Sequence, residues 1–173
     1  EAGAIDIIIG KGPSARTIQL ELPPFTLIGA TTRVALLSSP LRSRFSGGVF
    51  RLDFYTDGEI EKILGRSAKI LGTELEISAK EEIARRSRKT PRTANYLLKR
   101  CRDLAQIEKI SITAELADKA LEMIGIDGAG LNPSDIKLLE AIENKFSGGP
   151  VGLGTLAASL SEEEETIEEF NEP

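Results

Sequence analysis

Two stretches near the start of the chain alternate between apolar and polar positions with a period of two. Residues 4–9 form the first stretch and residues 17–22 the second. Between them lies a Gly-Lys-Gly-Pro sequence at positions 10–13, and glycine and proline are typical of turns. The pattern therefore predicts a β-hairpin over residues 4–22.

The tip of the first strand is apolar on both faces, because Ile7, Ile8 and Ile9 are consecutive. An exposed hairpin of this kind usually contacts a partner protein. The alternative is a hairpin that lies flat on its own domain.

Residues 25–30 form a continuous apolar run, typical of a parallel strand that is buried on both faces. Thr31, Thr32 and Arg33 follow the run. They would lie at the carboxyl end of the strand, which is where ligands bind in open α/β sheets. Residues 34–45 are expected to form a short helical connection, and residues 49–55 a final strand.

From Asp57 onward the apolar positions recur with the period of an amphipathic helix. The helix starts are marked by Thr56, by a Ser78–Glu81 capping box, by Pro91 and by Thr113. Four helices ending near Gly125 predict a small helical bundle.

Three more helices are predicted after the Gly-Ala-Gly sequence at positions 128–130. The first ends at Phe146, the second covers residues 153–160, and the third covers residues 161–170 with Ser161 as its N-cap. Two short helices behind a longer one are typical of a helix-turn-helix unit. A wing hairpin would follow at Pro173.

The composition excludes several kinds of catalytic and binding site. The chain contains no histidine, which excludes a histidine-based catalytic triad or metal site, and its single cysteine excludes an intrachain disulfide. Cys101 shares a helical face with Leu97 and Leu104, which predicts core packing. No apolar run reaches the ~18 residues of a membrane span, and no signal peptide is visible. The totals are typical of a soluble intracellular protein.

Charge is distributed unevenly. Residues 1–52 carry 6 basic and 3 acidic side chains, residues 53–130 carry 14 of each, and residues 131–173 carry 2 and 10. Phosphate neutralisation needs Lys and Arg, and the third part carries few of them, so we assign no DNA contact to any residue of this chain.

Several long runs resemble the RuvB family, the bacterial Holliday-junction branch-migration motors of the AAA+ class. They are residues 10–18, 24–33, 39–45, 84–92, 148–153 and 166–169. The resemblance covers essentially the whole chain. It implies the C-terminal part of an α/β AAA+ ATPase domain (1–55), an all-α helical lid (56–130) and a truncated winged-helix domain (131–173).

The resemblance also implies roles for individual residues. Thr32, with Thr31 beside it, resembles sensor 1, whose hydroxyl orients water or contacts the γ-phosphate. Arg44 resembles the arginine finger that reaches the neighbouring subunit's nucleotide, and Arg42 is the rival candidate. Arg92 resembles sensor 2, which reaches from the lid to the phosphates.

Further positions match family residues near the nucleotide. Tyr55 and Pro91 match residues that enclose the adenine. Glu1, Ala2 and Gly3 stand where the family usually has Glu, Asp and an aromatic residue, and of these only Glu1 fits.

The implied function is that of an ATP-driven subunit of a hexameric ring in the bacterial cytoplasm. The ring would translocate duplex DNA to migrate Holliday junctions in recombination and repair, with ATP or ADP and Mg²⁺ as cofactors. The hairpin at residues 4–22 resembles the one that binds the partner RuvA, and RuvC would be an indirect partner.

The chain departs from the family pattern in three respects. It lacks the phosphate-binding loop and the acidic segment that organises Mg²⁺, so we assign no metal ligand and expect an inactive fragment. It lacks the basic wing. It also has Ser46-Gly47-Gly48 where the family has one glycine and an apolar residue. The alternatives are another AAA+ DNA machine, such as a clamp-loader or initiator subunit, or a non-catalytic adaptor.

Overall fold

The computed structural model describes residues 3–10, 16–45 and 47–168. The chain divides into two compact units, residues 1–51 and residues 52–173. The first unit contains the hairpin and a short helix, and the second contains the remaining helices. None of the described helices is long and apolar enough to span a membrane.

The predicted pair of hairpin strands is confirmed, whereas residues 11–13 of the predicted turn lie outside the described residues. Strand β1 (Ala4–Ile9) pairs antiparallel with β2 (Arg16–Glu21), and this register places Ile7 opposite Ile18. At the base of the hairpin the Leu22 N–H donates to the Gly3 carbonyl at 2.6 Å. The two-residue alternation is thus realised as a strand pair.

The two other predicted strands are wrong for this structure. Residues 25–30 and 49–55 are not paired, and the only sheet among the described residues is the hairpin. Ile28 and Leu52 are each 89% exposed. A buried parallel strand exists only through hydrogen bonds to neighbouring strands. No described residue supplies such a neighbour, so the apolar pattern alone does not produce a strand.

The predicted helical connection between these segments is confirmed. It consists of a 3-10 turn at Val34–Leu36 and helix α1 at Ser39–Arg44. Pro40 lies in the first turn of α1, where its missing N–H costs nothing.

The second unit begins with the predicted four-helix bundle. Its helices are α2 (Asp57–Leu71), α3 (Ile77–Arg85), α4 (Pro91–Glu108) and α5 (Ala114–Met123). Their apolar faces form one core, in which the largest fully buried side chains include Ile60, Leu64, Ile83, Leu97, Leu98 and Leu121.

Three of the four predicted helix starts in this bundle are confirmed. Thr56 forms a capping box with Glu59, Thr113 caps α5, and Pro91 is the first residue of α4. The Ser78–Glu81 capping box is wrong, because α3 already begins at Ile77. The Glu76 N–H donates to the Ile112 carbonyl at 3.1 Å, and this distant pairing fixes where the chain enters the helix.

Cys101 lies in the bundle core, as predicted, and its side chain is fully buried. Burial raises the pKa of the Cys101 thiol to about 12. The thiol is therefore protonated at neutral pH and behaves as a small apolar side chain.

Three further helices complete the second unit: α6 (Pro133–Phe146), α7 (Leu153–Leu160) and α8 (Glu164–Thr166). They share a second, smaller core made of Ala141, Leu156, Ala157 and Ile167.

The predicted N-cap at Ser161 is wrong. Ser161 is the C-cap of α7, with a left-handed φ of 58°, and α8 begins only after Glu163. The Ser161 N–H donates to carbonyls of α7, so the residue ends one helix rather than starting the next. Phe170, the predicted end of α8, lies outside the described residues.

Candidate functional site

A small cavity of about 190 Å³ opens on the second unit. It is lined by Leu52, Asp53, Phe54, Tyr55, Lys89, Thr90 and Pro91. Tyr55 and Pro91, which the family resemblance assigns to the same site from positions 36 residues apart, thus line one cavity. The lining is largely aromatic and aliphatic, as in many small-molecule sites.

A turn in unusual backbone conformation forms one wall of the cavity. Arg88 and Lys89 are consecutive non-glycine residues with positive φ, 53° and 55°. The Tyr55 N–H donates to the Lys89 carbonyl at 3.1 Å, and the Thr90 N–H donates to the Ser87 carbonyl at 3.2 Å. The first bond joins the segment that enters the bundle to the turn before α4, and the second closes the turn itself.

The N-terminus of α4 adjoins the cavity. Thr90 caps the helix, since its hydroxyl accepts from the Thr93 N–H and bonds the Thr93 hydroxyl at 2.9 Å. Arg92 is exposed in the first turn and makes no ion pair or side-chain hydrogen bond within the described part of the chain. Its charge and the positive end of the helix dipole both favour an anion here.

Most basic residues around this helix start are engaged elsewhere. Eight basic residues and no acidic one lie between positions 85 and 102. Arg85 and Arg86 pair with Glu82, Arg88 pairs with Asp135, and Arg100 and Arg102 pair with Asp103. Arg92, Lys89 and Lys99 have no carboxylate partner among the residues described, and of these three Arg92 is the one in the first turn of α4.

Arg86 is one residue whose burial the sequence did not suggest, with 5% of its side chain exposed. Burial alone would lower the pKa of this guanidinium, but hydrogen bonds to Asp118 and Glu82 outweigh burial and raise it. Arg86 is therefore a structural cation that joins α3 to α5.

The two threonines predicted as sensor 1 lie in the first unit and differ in their bonds. The Thr31 hydroxyl accepts from the Arg33 N–H at 3.0 Å, so it stabilises a local turn. Thr32 is exposed, and its hydroxyl has no hydrogen-bond partner within residues 3–10, 16–45 and 47–168. Of the pair, Thr32 is the one available to a ligand.

Arg44 is the last residue of α1 and is exposed, as is Arg42 on the same helix. Phe45 follows it and is half-buried, with its ring against Gly29: a Cβ at Gly29 would lie 3.8 Å from the Phe45 Cζ. The Phe45 ring, directly after the helix that carries Arg44, thus lies near the Gly29 backbone. Gly48 has a φ of 105° and donates to the Phe45 carbonyl at 3.4 Å. Ser46 lies outside the described residues.

Glu1 and Ala2 also lie outside the described residues. Gly3 is exposed with a left-handed φ of 53°. At the hairpin, Ile7, Ile8 and Ile9 are 42%, 71% and 55% exposed. The described residues contain no group of three or more Asp, Glu, Cys or His side chains that could hold a metal ion.

Three family models match consecutive parts of the chain. The RuvB P-loop domain (of the "Holliday junction DNA helicase RuvB") matches residues 1–52, the RuvB AAA lid domain residues 55–127, and the RuvB C-terminal winged-helix domain residues 128–173. The chain belongs to the RuvB family. Its fold is accordingly part of an α/β AAA+ domain followed by the helical lid and winged-helix domain of RuvB.

Solved RuvB structures resemble this chain. The Thermotoga maritima "RuvB Holliday junction branch migration motor" is 49% identical, with a TM-score of 0.80 over 88% of this chain and 51% of that one. A mutant of the same protein is 48% identical, with a TM-score of 0.81 over 89% and 51%. The chain thus spans about half the length of these RuvB structures.

This RuvB-family chain also contains a polar contact that its sequence did not suggest. Arg88, in the turn beside the cavity, forms an ion pair with Asp135 of α6. The two residues are 47 positions apart, so no local pattern links them. The positive φ values of Arg88 and Lys89 are likewise a tertiary effect.

Proposed function

We propose that this chain is part of an ATP-driven motor subunit that translocates duplex DNA to migrate Holliday junctions. The observation that carries the proposal is the cavity in which Tyr55 and Pro91 meet, with Arg92 in the adjoining helix start. An apolar cavity beside a cationic helix N-terminus suits a nucleotide, which has a flat base and an anionic tail.

In this proposal Tyr55 and Pro91 enclose the adenine of ATP or ADP. Arg92 reaches toward the phosphates, and the α4 dipole adds to its attraction. The lid would thereby bind the base of the nucleotide in the cavity and detect the negative charge of its phosphates.

The first unit would contribute to hydrolysis. Thr32, beside Thr31, would orient the attacking water or contact the γ-phosphate, and Arg44 would stabilise the charge on the phosphoryl group in the neighbouring subunit. An arginine in this role is worth about 10³–10⁵ in rate in other NTPases. Glu1, Ala2 and Gly3 would lie near the same nucleotide.

The residues present fit the base and phosphates but not the metal. Mg²⁺ prefers carboxylate and water oxygens, and the described residues contain no acidic cluster that could bind it. We therefore assign no metal-dependent step to this part of the protein.

The proposed assembly is a hexameric ring in the bacterial cytoplasm, with each nucleotide between two subunits. The hairpin would bind RuvA through its exposed isoleucines, and RuvC would join indirectly. The domains at residues 1–55, 56–130 and 131–173 would act as ATPase part, lid and winged-helix part.

The decisive experiment replaces Arg44 by Ala in the intact protein. We expect ATP hydrolysis to fall by about 10³-fold or more, with ADP binding by the same subunit unchanged, because the finger acts on the neighbour's nucleotide.

Arg42→Ala is the matched control, since it removes an arginine from the same short helix. Near-normal hydrolysis by Arg44→Ala, together with loss of hydrolysis by Arg42→Ala, would transfer the role to Arg42. Normal hydrolysis by both variants would refute the finger assignment.

A further inference from the structure

The turn beside the cavity is bonded directly to the third group of helices. The Arg88 guanidinium pairs with the Asp135 carboxylate in the first turn of α6, and Arg88 Nε donates to the Gly130 carbonyl at 3.5 Å. The Asp135 side chain is 6% exposed and the Arg88 side chain is 30% exposed, so the carboxylate of this pair is shielded from water and the guanidinium is shielded in part. A shielded pair is screened less by salt than a surface pair and is more sensitive to loss of one partner.

The linker that precedes α6 lies against the end of α3. Arg85 Nη1 donates to the Gly128 carbonyl at 2.6 Å. Gly130 has a φ of 86°, and a Cβ there would lie 2.8 Å from the Arg86 carbonyl oxygen. The linker backbone therefore follows the α3–α4 connection closely and leaves no room for a side chain at Gly130.

The same connection supplies part of the cavity lining, through Lys89 and Thr90. Its two residues with positive φ, Arg88 and Lys89, adopt a conformation that costs about 1 kcal/mol or more each and persists only where surrounding contacts hold it. On one side Lys89 accepts a hydrogen bond from Tyr55, and on the other Arg88 bonds Asp135. One strained turn thus contacts both the candidate nucleotide site and α6.

We propose that the Arg88–Asp135 ion pair is a positioning contact that couples nucleotide binding in the cavity to the docking of α6. This inference rests on the proposed function, since it takes ADP as the ligand of the cavity. Because coupling between two sites is reciprocal, bound nucleotide stabilises the α6 docking, and intact docking strengthens nucleotide binding. Asp135 thereby influences a site that it does not touch.

The test uses hydrogen–deuterium exchange on the intact protein with and without ADP. In the unsubstituted protein we expect ADP to slow amide exchange both at residues 89–93, beside the cavity, and at residues 132–137, around the start of α6. In Asp135→Asn we expect slowing at residues 89–93 only. The ADP dissociation constant should rise about fivefold or more, at the low end of typical couplings.

Glu140→Gln is the matched control. It removes the same charge from an exposed position on α6 and should leave both exchange patterns and the ADP affinity unchanged. Asp135→Asn also disturbs the α6 capping box, in which the Asp135 carboxylate accepts from the Asn132 N–H at 2.8 Å, whereas Arg88→Gln leaves that bond in place. Arg88→Gln should therefore reproduce the loss of ADP affinity, and the double variant should bind ADP no more weakly than the weaker single variant, because the two substitutions share the Arg88–Asp135 contact.

The outcomes separate the two proposals. Absence of ADP protection at residues 89–93 in the unsubstituted protein would refute the proposed nucleotide site. Protection there without protection at residues 132–137 would refute the coupling alone. A lower melting temperature for Asp135→Asn with unchanged ADP affinity would reduce the pair to a structural contact and also overturn the coupling.

Discussion

Arg86 is stabilised in the bundle by two carboxylates, Glu82 one turn earlier on α3 and Asp118 on α5. A buried cation without such partners would be very costly, so the bundle depends on them. Glu82 also bonds Arg85, and this bond and the bond from Arg86 lower the pKa of the Glu82 carboxyl although partial burial opposes the shift.

Glu82→Gln should therefore reduce the free energy of unfolding at pH 7 by about 1.5–3 kcal/mol, the range for hydrogen bonds to charged groups. A lowered folded pKa contributes stability above the unfolded pKa, which is near 4.5, and the contribution is lost as the pH falls through the folded value. The difference between Glu82→Gln and the unsubstituted protein should shrink below about pH 4. Urea titrations at several pH values measure it, with exposed Glu81→Gln as the control. A difference that persists undiminished at pH 3 would contradict this account.

Gly130 is a second residue whose identity is fixed by a distant contact. Gly130→Ala should lower the free energy of unfolding by about 1–3 kcal/mol, because the methyl group would overlap the Arg86 carbonyl in a backbone conformation already unfavourable to alanine. Gly128→Ala, two residues away with open space around it, should change the free energy of unfolding by less than about 0.5 kcal/mol. Equal effects of the two substitutions in chemical denaturation would show that the close approach of Gly130 to the Arg86 carbonyl does not determine the loss of stability.

Helix boundaries differ in how far local sequence determines them. Thr56 and Thr113 cap their helices as predicted, because an N-cap needs only a side-chain oxygen and nearby backbone N–H groups. Ser78 and Ser161 carry the same kind of side-chain oxygen, but neither is the N-cap of a helix. Pairing of Glu76 with Ile112 starts α3 early, and the left-handed turn at Ser161 ends α7.

The role of Ser161 leads to a prediction for this element. Ser161→Gly should raise the free energy of unfolding by about 0.5–1 kcal/mol, since glycine adopts a left-handed conformation without penalty. Ser161→Ala should have little effect, whereas an N-cap serine would cost about 1 kcal/mol on the same change. Thermal and urea unfolding of both variants measure the difference. Loss of stability in the alanine variant with no gain in the glycine variant would favour the N-cap interpretation.

At the scale of the whole molecule, the exposed hairpin is the strongest candidate for a partner surface. Ile8 is 71% exposed and lies opposite Thr17 in the hairpin register. If the hairpin binds RuvA by apolar contact, Ile8→Asp in the intact protein should weaken the complex by about tenfold or more, because burying an isoleucine side chain contributes about 1.5–3 kcal/mol.

Gln19→Ala is the control for this substitution, since it changes an exposed side chain of the same hairpin without removing apolar surface or placing a second carboxylate opposite Asp6. Isothermal titration calorimetry with RuvA compares the affinities of the two variants. Equal affinity for Ile8→Asp and the unsubstituted protein would exclude the isoleucine tip from the interface.

The sequence by itself determined the features that depend on neighbouring residues. The hairpin follows from the alternation of residues 17–22, the partial alternation of residues 4–9 and the glycines and proline between them. Most helices follow from their apolar stripes, and Cys101 is buried because it shares a face with Leu97. The family membership likewise follows from runs that can be read in order. These features need only local periodicity and local hydrogen bonds.

Only the tertiary structure decided what depends on partners far along the chain. Residues 25–30 and 49–55 match strand patterns but lack a neighbouring strand among the described residues, because ladder hydrogen bonds must come from elsewhere. Tyr55 and Pro91 share a cavity, Gly130 meets Arg86, and Arg88 meets Asp135 through folding alone. The physical reason is that contact in space between distant residues leaves no periodic trace in the sequence.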